Sequence, residues 1–259
     1  MGTLSFTKDA ARNLAKAYAT PDMVGQRDAV LQLLDLHTAE TVIDIGCGPG
    51  FLCEKMAQKV GASGAVLGVD ISPDLIELCK DRKPPSHLSY AQEDATALAS
   101  SKAAFDVAVC TQVAEYIPDT SAVLAEMFRV LRPGGRALVM ATDWNCVGWH
   151  SNEPGRMNRV LRAWEGHCAH AGLPRTLASS MQVAGFETLQ ITAHPVINTR
   201  FEKTQYSFGL AKLMRSYAEN TGFSKTEVAQ WFDDLTRLDA AGQYYFCSAR
   251  IIFVARKPA

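Results

Sequence analysis

Three glycines at alternate positions, Gly46, Gly48 and Gly50, interrupt the apolar run VIDIGCGPGFL, with Asp44 two residues ahead of the first. Glycines at such a break let a strand turn sharply into a helix and bring backbone N–H groups close to a ligand. The surroundings argue against two phosphate-binding patterns. A dinucleotide fingerprint needs a small third residue, and counting from Gly46 that place is held by Phe51. A P-loop needs Gly-Lys-Ser/Thr, which does not follow. Asp44 would repel a pyrophosphate and suits a ligand that carries an ammonium group. Two later acids, Asp70 in GVDIS and Asp94 in AQEDATAL, are placed either to accept hydrogen bonds from such a ligand or to cap helices.

The elements that must hold these residues follow from periodicity. Residues 1–40 read as helical in two pieces split at Thr20-Pro21. From Thr41 onward, short apolar runs (TVIDI, AVLGVDI, HLSYA, FDVAVC, GRALVMAT) alternate with helix-like segments at about 51–60, 73–82 and 119–131. That alternation implies right-handed βαβ units on a parallel sheet covered on both faces. In RVLRPGGRALVMA, Pro133 and two glycines stop a helix before the fifth strand. LASSMQVAGFETLQITAH supplies another helix and strand, and YYFCSARIIFVARK a closing strand able to pair antiparallel with it at the sheet edge.

The expected fold class is α/β: a doubly wound, Rossmann-like, seven-stranded sheet, mostly parallel with the last strand antiparallel, carrying helical cap insertions. The expected divisions are an N-terminal helical lid at 1–40, a ligand-binding core at 41–143, a cap insertion at 144–176, a core continuation at 177–195, a second cap insertion at 196–242 and the closing strand at 243–259. Ser224 is the expected N-cap of a helix in the second insertion. The caps carry many aromatic residues, among them Trp144, Trp149 and Tyr206, which either line a pocket above the strand ends or pack the caps onto the core.

With 47% hydrophobic and 20% charged residues and a net charge of −1, the chain reads as a soluble globular protein with no basic face for nucleic acid. No apolar stretch is long enough to span a bilayer, and the first residues lack the apolar segment of a signal peptide. Seven cysteines at irregular spacing, without a CxxC pair, read as reduced thiols in a cytoplasmic protein, and no metal site is expected.

The ordered segments DIGCGPG, GVDIS, AQEDATAL, FDVAVCTQVAEYIPD and RVLRPGGRALV resemble the class I S-adenosylmethionine-dependent methyltransferases, and in particular their small-molecule and quinone-C-methylase-like group. The resemblance covers roughly residues 41–142 and continues through 177–194. It implies S-adenosylmethionine as cofactor, S-adenosylhomocysteine as product and a small-molecule methyl acceptor. It places Asp44, Gly46, Cys47, Gly48 and Gly50 in the cofactor loop, Asp70 on the ribose hydroxyls, and Ile71 flat against the adenine. Asp94 then takes the adenine amino group, and the Ala95 N–H a ring nitrogen. Thr111 or Gln112 falls near the methionine end, and Tyr116 where relatives often carry histidine. YATPDMVGQR resembles a lid in which Tyr18 closes over the cofactor and Arg27 meets its carboxylate, although Arg27 reads equally well as a solvated helix residue.

Transfer to a hydroxyl or carbon acid needs a base, whereas a neutral amine or thiolate does not. His150, in WNCVGWHS directly after the fifth strand, is the candidate base, or else a polar cap residue; His167 and His170 fall in a cap helix. A nicotinamide-dependent oxidoreductase, disfavoured by Phe51, and a non-methylating S-adenosylmethionine-binding protein are the other readings.

Overall fold

A computed structural model describes residues 8–259. The first seven residues of the expected lid lie outside the described residues. Five parallel strands, β1 (Thr41–Ile45), β2 (Ala65–Asp70), β3 (Leu88–Gln92), β4 (Phe105–Thr111) and β5 (Leu131–Thr142), form the left and centre of the sheet in the order 3-2-1-4-5. β8 (Phe246–Arg256) runs antiparallel beside β5, and β7 (Glu187–Asn198) pairs antiparallel with β8 at the edge. The sheet has eight strands, not seven. The extra one, β6 (Gly148–Trp149), is two residues long and pairs with β8 beyond the end of β5, too short to leave an alternating pattern in the sequence.

The helices are α1 (Lys8–Tyr18), α2 (Pro21–Leu34), α3 (Phe51–Val60), α4 (Pro73–Asp81), α5 (Thr120–Val130), α6 (Pro154–Glu165), α7 (Pro174–Val183), α8 (Tyr206–Asn220) and α9 (Lys225–Ala240). Pro21 sits in the first turn of α2, where its missing N–H costs nothing. One face of the sheet buries Val42, Val107, Leu138 and Ile252 against α2 and α3; the other buries Ile43, Ala108, Val139 and Phe253 against α5 and α7. Burial on both faces is why β1 and β4 read as unbroken apolar runs.

A third apolar cluster joins Met23 of α2 to Trp149 and Met157 after β5, to Leu210 and Trp231 after β7, and to Phe246 of β8. Two polar knots hold it. Asp22 accepts from the Tyr206 N–H at 2.7 Å and from Asn198 Nδ2 at 3.1 Å, so the start of α2 caps the start of α8. Buried Asp234 on α9 accepts from Ser151 Oγ (2.7 Å), the Asn152 N–H (3.1 Å) and Asn152 Nδ2 (3.0 Å). Ser224 caps α9 through the Glu227 N–H at 3.1 Å. Removing the Asp234 carboxylate strands three donors, each costing about 1 kcal/mol or more. Asp234→Ala is therefore expected to lose about 2–4 kcal/mol of stability in urea unfolding. A variant as stable as wild type would show that the knot contributes nothing.

Candidate active site

The loop after β1 takes its shape from its glycines. Gly46, Gly48 and Gly50 have φ of 72°, 52° and 76°, in the left-handed region. A Cβ on Gly46 would come within 2.1 Å of Val113 Cγ2, and one on Gly50 within 2.7 Å of the Tyr90 hydroxyl. Gly48 would meet nothing within 4 Å, so the loop turns an open backbone face outward there. The Gly46 and Cys47 N–H groups donate to Val69 O at 2.8 and 2.9 Å, tying the loop to β2.

Asp70, at the end of β2, closes that tie. Its Oδ2 accepts from the Gly48 N–H and its Oδ1 from the Ser72 N–H, both at 2.9 Å. A carboxylate oxygen has two lone-pair sites, so one remains on each oxygen for a pair of vicinal hydroxyls. Burial raises the Asp70 pKa against these N–H donors. Ile71 beside it is 62% exposed, an uncovered apolar surface of the kind a flat heterocycle covers. Exposed Asp94 accepts the Thr96 N–H and hydroxyl on Oδ1, at 2.8 and 2.7 Å, leaving Oδ2 for another donor; these bonds lower its pKa. Ala95 is nearly buried beside it. Neither acid caps a helix: Ser72 is the N-cap of α4, and Asp94 stabilises only a turn.

Asp44 lies behind the loop at 1% exposure. Cys53 Sγ donates to its Oδ2 at 3.1 Å, and Oδ1 has no partner. Burial pushes this carboxyl up to about 7, opposed by the Cys53 contact. A cation brought close would restore its charge and satisfy Oδ1. Cys47 and Cys79 are buried beside it, Cys79 Sγ donating to Gly48 O at 3.4 Å. Phe51, at the start of α3, lies between two guanidinium groups, with Arg27 Cζ 5.3 Å and Arg82 Cζ 5.1 Å from its ring centroid. Arg27 is thus half-buried rather than solvated, and its Nη1 donates to Tyr18 O.

Beyond the loop, Gln112 holds the strained φ of 56° at the end of β4. Its N–H donates to Met140 O (2.7 Å), its Nε2 to Thr142 Oγ1 (3.2 Å), and its Oε1 accepts from Gln26 of α2 (3.1 Å). Thr111 precedes it, half-buried.

Glu115, in the single helical turn after β4, is fully buried. Its Oε1 accepts the Thr142 N–H at 3.3 Å and its Oε2 has no partner. Burial pushes it up to about 7. Arg250 of β8 is also fully buried, its Cζ 4.6 Å over the Tyr206 ring. The Tyr18 hydroxyl lies within the fields of Arg250, Tyr206, Glu115 and Asp70, and burial raises it to about 12. Of these groups Arg250 opposes the rise, while Tyr206, Glu115 and Asp70 add to it.

Tyr116 is directed at His167, its hydroxyl 3.5 Å from Nε2. His167 Nδ1 faces Trp164 O and its ring stacks on Trp164 at 3.9 Å. Burial lowers His167 to about 4, so it is neutral, with Nδ1 as donor and Nε2 accepting from Tyr116. His167 and His170 lie in the turn beyond α6, not inside a helix, because Gly166 ends it.

Three expectations are corrected. His150 does not join the group: Trp149 points into the third cluster, and His150, next on the strand, is exposed, its N–H bonded to Tyr245 O at 3.0 Å. Trp149 packs on Phe246 (4.7 Å between centroids) and Trp231 (5.9 Å). Trp144 packs on His167 (4.8 Å) and Trp164 (6.0 Å). Both tryptophans thus hold the caps together. Glu115 and Arg250 were missed. An acid amid VAEYIP, and an arginine on the inward parity of FCSARIIFV (with Phe246, Ser248, Ile252 and Val254), were the available signals.

The unspent acceptors of Asp44, Asp70 and Asp94 around an open glycine loop and a bare Ile71 fit one ligand, a nucleoside with an ammonium-bearing tail. The fold and that donor set define a class, and residues 36–208 match the methyltransferase-domain family. The chain belongs to the class I S-adenosylmethionine-dependent methyltransferases. It is 27% identical over 241 residues to an uncharacterized 37.1 kDa protein in transposon TN4556 of Streptomyces fradiae, covering 89% of this chain and 66% of that one. It is 38% identical over 111 residues to a ubiquinone biosynthesis O-methyltransferase of Methylococcus capsulatus, covering 40% and 46%. The chain thus spans less than two thirds of the length of these curated relatives. In fold it resembles a putative methyltransferase of Bacillus halodurans, with TM-score 0.65 and 17% identity over 91% of this chain and 100% of the other. Among the described residues no helix is long and apolar enough to cross a membrane.

Proposed function

We propose that the protein transfers the methyl group of S-adenosylmethionine to a small-molecule acceptor held between the glycine loop and the helical caps. The observation that supports this most is Asp70: pinned by the Gly48 and Ser72 N–H groups, it keeps one lone pair per oxygen for the ribose hydroxyls. Ile71 and Ala95 flank the adenine, Asp94 Oδ2 accepts its amino group, and Asp44 Oδ1 faces the positive charge of the methionine end. Gly46, Cys47, Gly48 and Gly50 supply backbone, and Thr111 and Gln112 border the same end. Arg27, beside Phe51, is the reading for the cofactor carboxylate, and Tyr18 closes over the join. When bound, the cofactor supplies an electrophilic sulfonium methyl that needs no activation by the protein.

The residues of this chain then position the acceptor and manage its proton. Glu115 Oε2 is the proton acceptor: its raised pKa matches a base working near neutrality, and no other group occupies that oxygen. Tyr206 and Tyr116 line the acceptor side. Because Tyr116 donates to His167, its phenolic proton is committed.

Two measurements test the reading. Calorimetric titration is expected to give micromolar or tighter S-adenosylhomocysteine binding and none of NAD; the reverse result would sink it. Transfer from methyl-labelled cofactor to a panel of phenols, carboxylated phenols, amines, thiols and heterocycles is expected to label at least one acceptor. Cofactor binding with no transfer to any of them would favour a non-methylating protein.

A further inference from the structure

Arg250 is the most poorly satisfied charge among the described residues. It is fully buried, yet neither Nε nor Nη2 has a hydrogen-bond partner, and Nη1 faces only the thioether of Met23 at 3.3 Å. Two other buried charged groups are met: Lys257 Nζ donates to two carbonyls at 2.7 and 2.8 Å, and Asp234 accepts three donors. A buried guanidinium left this way is strongly unfavourable unless a ligand completes it.

The sheet fixes where that unfilled edge lies. Arg250 pairs in register with Thr142 of β5 on one side and His194 of β7 on the other, so the three side chains emerge on one face. From above, Tyr206 of α8 and Met23 of α2 cover the guanidinium. Glu115 and Tyr18 feel its charge from the turn after β4 and from α1, and His194 feels it from β7. Thr142 also receives the Gln112 side chain and donates its N–H to Glu115, which places Arg250 next to the proposed base. Glu115 is itself driven toward its neutral form by burial, so Arg250 has no committed counter-anion.

Nε–H and Nη2–H are the parallel donors on one edge of a guanidinium, the fork that a carboxylate meets with two hydrogen bonds. Among the described residues Arg250 is the one cation with a resolved effect on Glu115, and its single charge suits a monoanion better than a phosphate dianion. We propose that the methyl acceptor carries a carboxylate, seated on the Nε–Nη2 edge of Arg250 with the rest of the molecule directed toward Glu115. This rests on the reading of the site as a methyl-transfer site.

The test uses the protein saturated with S-adenosylhomocysteine and three probes of matched shape: benzoate, benzamide and phenyl phosphate. Benzoate is expected to raise the melting temperature and benzamide to leave it unchanged, with phenyl phosphate weaker than benzoate. Arg250→Met, which removes an unsatisfied charge, is expected to fold at least as stably without ligand and to bind S-adenosylhomocysteine within threefold of wild type. It should lose tenfold or more in benzoate affinity. Arg250→Lys, which keeps the charge without the fork, should lose a similar factor and serves if the methionine variant does not fold. No benzoate binding by wild type, equal binding by the variants, or tighter phenyl phosphate would overturn the proposal. So would a tenfold loss of S-adenosylhomocysteine binding in Arg250→Met, which would assign the arginine to the cofactor. Failure of the methyltransferase reading shows differently, as wild-type protein that does not bind S-adenosylhomocysteine at all.

Discussion

Glu115→Gln is expected to lower turnover of an acceptor that must lose a proton by roughly 10²–10⁴-fold, the range for losing a positioned base. Glutamine keeps the shape and still accepts the Thr142 N–H, so the loss isolates proton transfer from packing. The wild-type rate should climb with pH and level off above about 7, where the Glu115 carboxylate is charged. In the variant that inflection should vanish. The same group leaves a mark on stability. Its pKa is about 7 when folded against an ordinary 4.5, so between those values the folded state holds a proton that the unfolded state does not. Stability from this group is full below pH 4.5 and is lost as pH rises to about 7, by on the order of 3 kcal/mol. Urea unfolding should therefore find Glu115→Gln more stable than wild type at pH 8 and little different at pH 4.5. Equal stability at both, together with an unchanged pH–rate profile, would remove Glu115 as the base.

Asp70→Ala should weaken S-adenosylhomocysteine binding by roughly 10²–10⁴-fold, since two hydrogen bonds to a charged acceptor are worth about 1.5–3 kcal/mol each. The variant also releases the Gly48 N–H, so part of the loss is the loop coming free of β2. Asp70→Asn, with one acceptor left, should fall between the variant and wild type. At exposed Asp94, where water competes for the same donor, Asp94→Ala should cost about tenfold or less. Calorimetry on the three proteins gives the ranking, and an Asp70→Ala variant that binds as tightly as wild type would displace the ribose from this carboxylate.

What the sequence displayed was the side of the site built from consecutive residues. Gly46, Gly48 and Gly50 announce a left-handed loop because no other residue adopts it cheaply, and Asp70 and Asp94 stand at strand ends that apolar runs make visible. The bounds of α3 and α5 could be read within a residue or two for the same reason. The acceptor side is assembled from far-apart segments: Tyr18, Glu115, Tyr206 and Arg250 meet only through the β5–β8 pairing and the closure of two insertions. No local pattern encodes that meeting. Arg250 sits in a strand whose parity marks it as inward, but parity does not show that Met23 of α2 and Tyr206 of α8 close over it. His150 misled for the converse reason. Its position after β5 is where a base belongs, and only the two-residue β6 reveals that alternation turns it outward. Phe51 argued correctly against a pyrophosphate, while its contacts with Arg27 and Arg82 depended on two helices the motif does not contain.

The bond from Asp22 to the first turn of α8 has a bearing on how this protein could be re-engineered. The second insertion looks like an exchangeable module for changing acceptor preference, since it enters and leaves the sheet at β7 and β8. Yet its first helix is started by a carboxylate from the opposite end of the chain, together with Asn198 and Gln205. A graft cut at the insertion's own borders would leave behind the group that fixes Tyr206 against Arg250. Moving α8 and α9 into another protein would therefore require the opening turn of α2 to move with them.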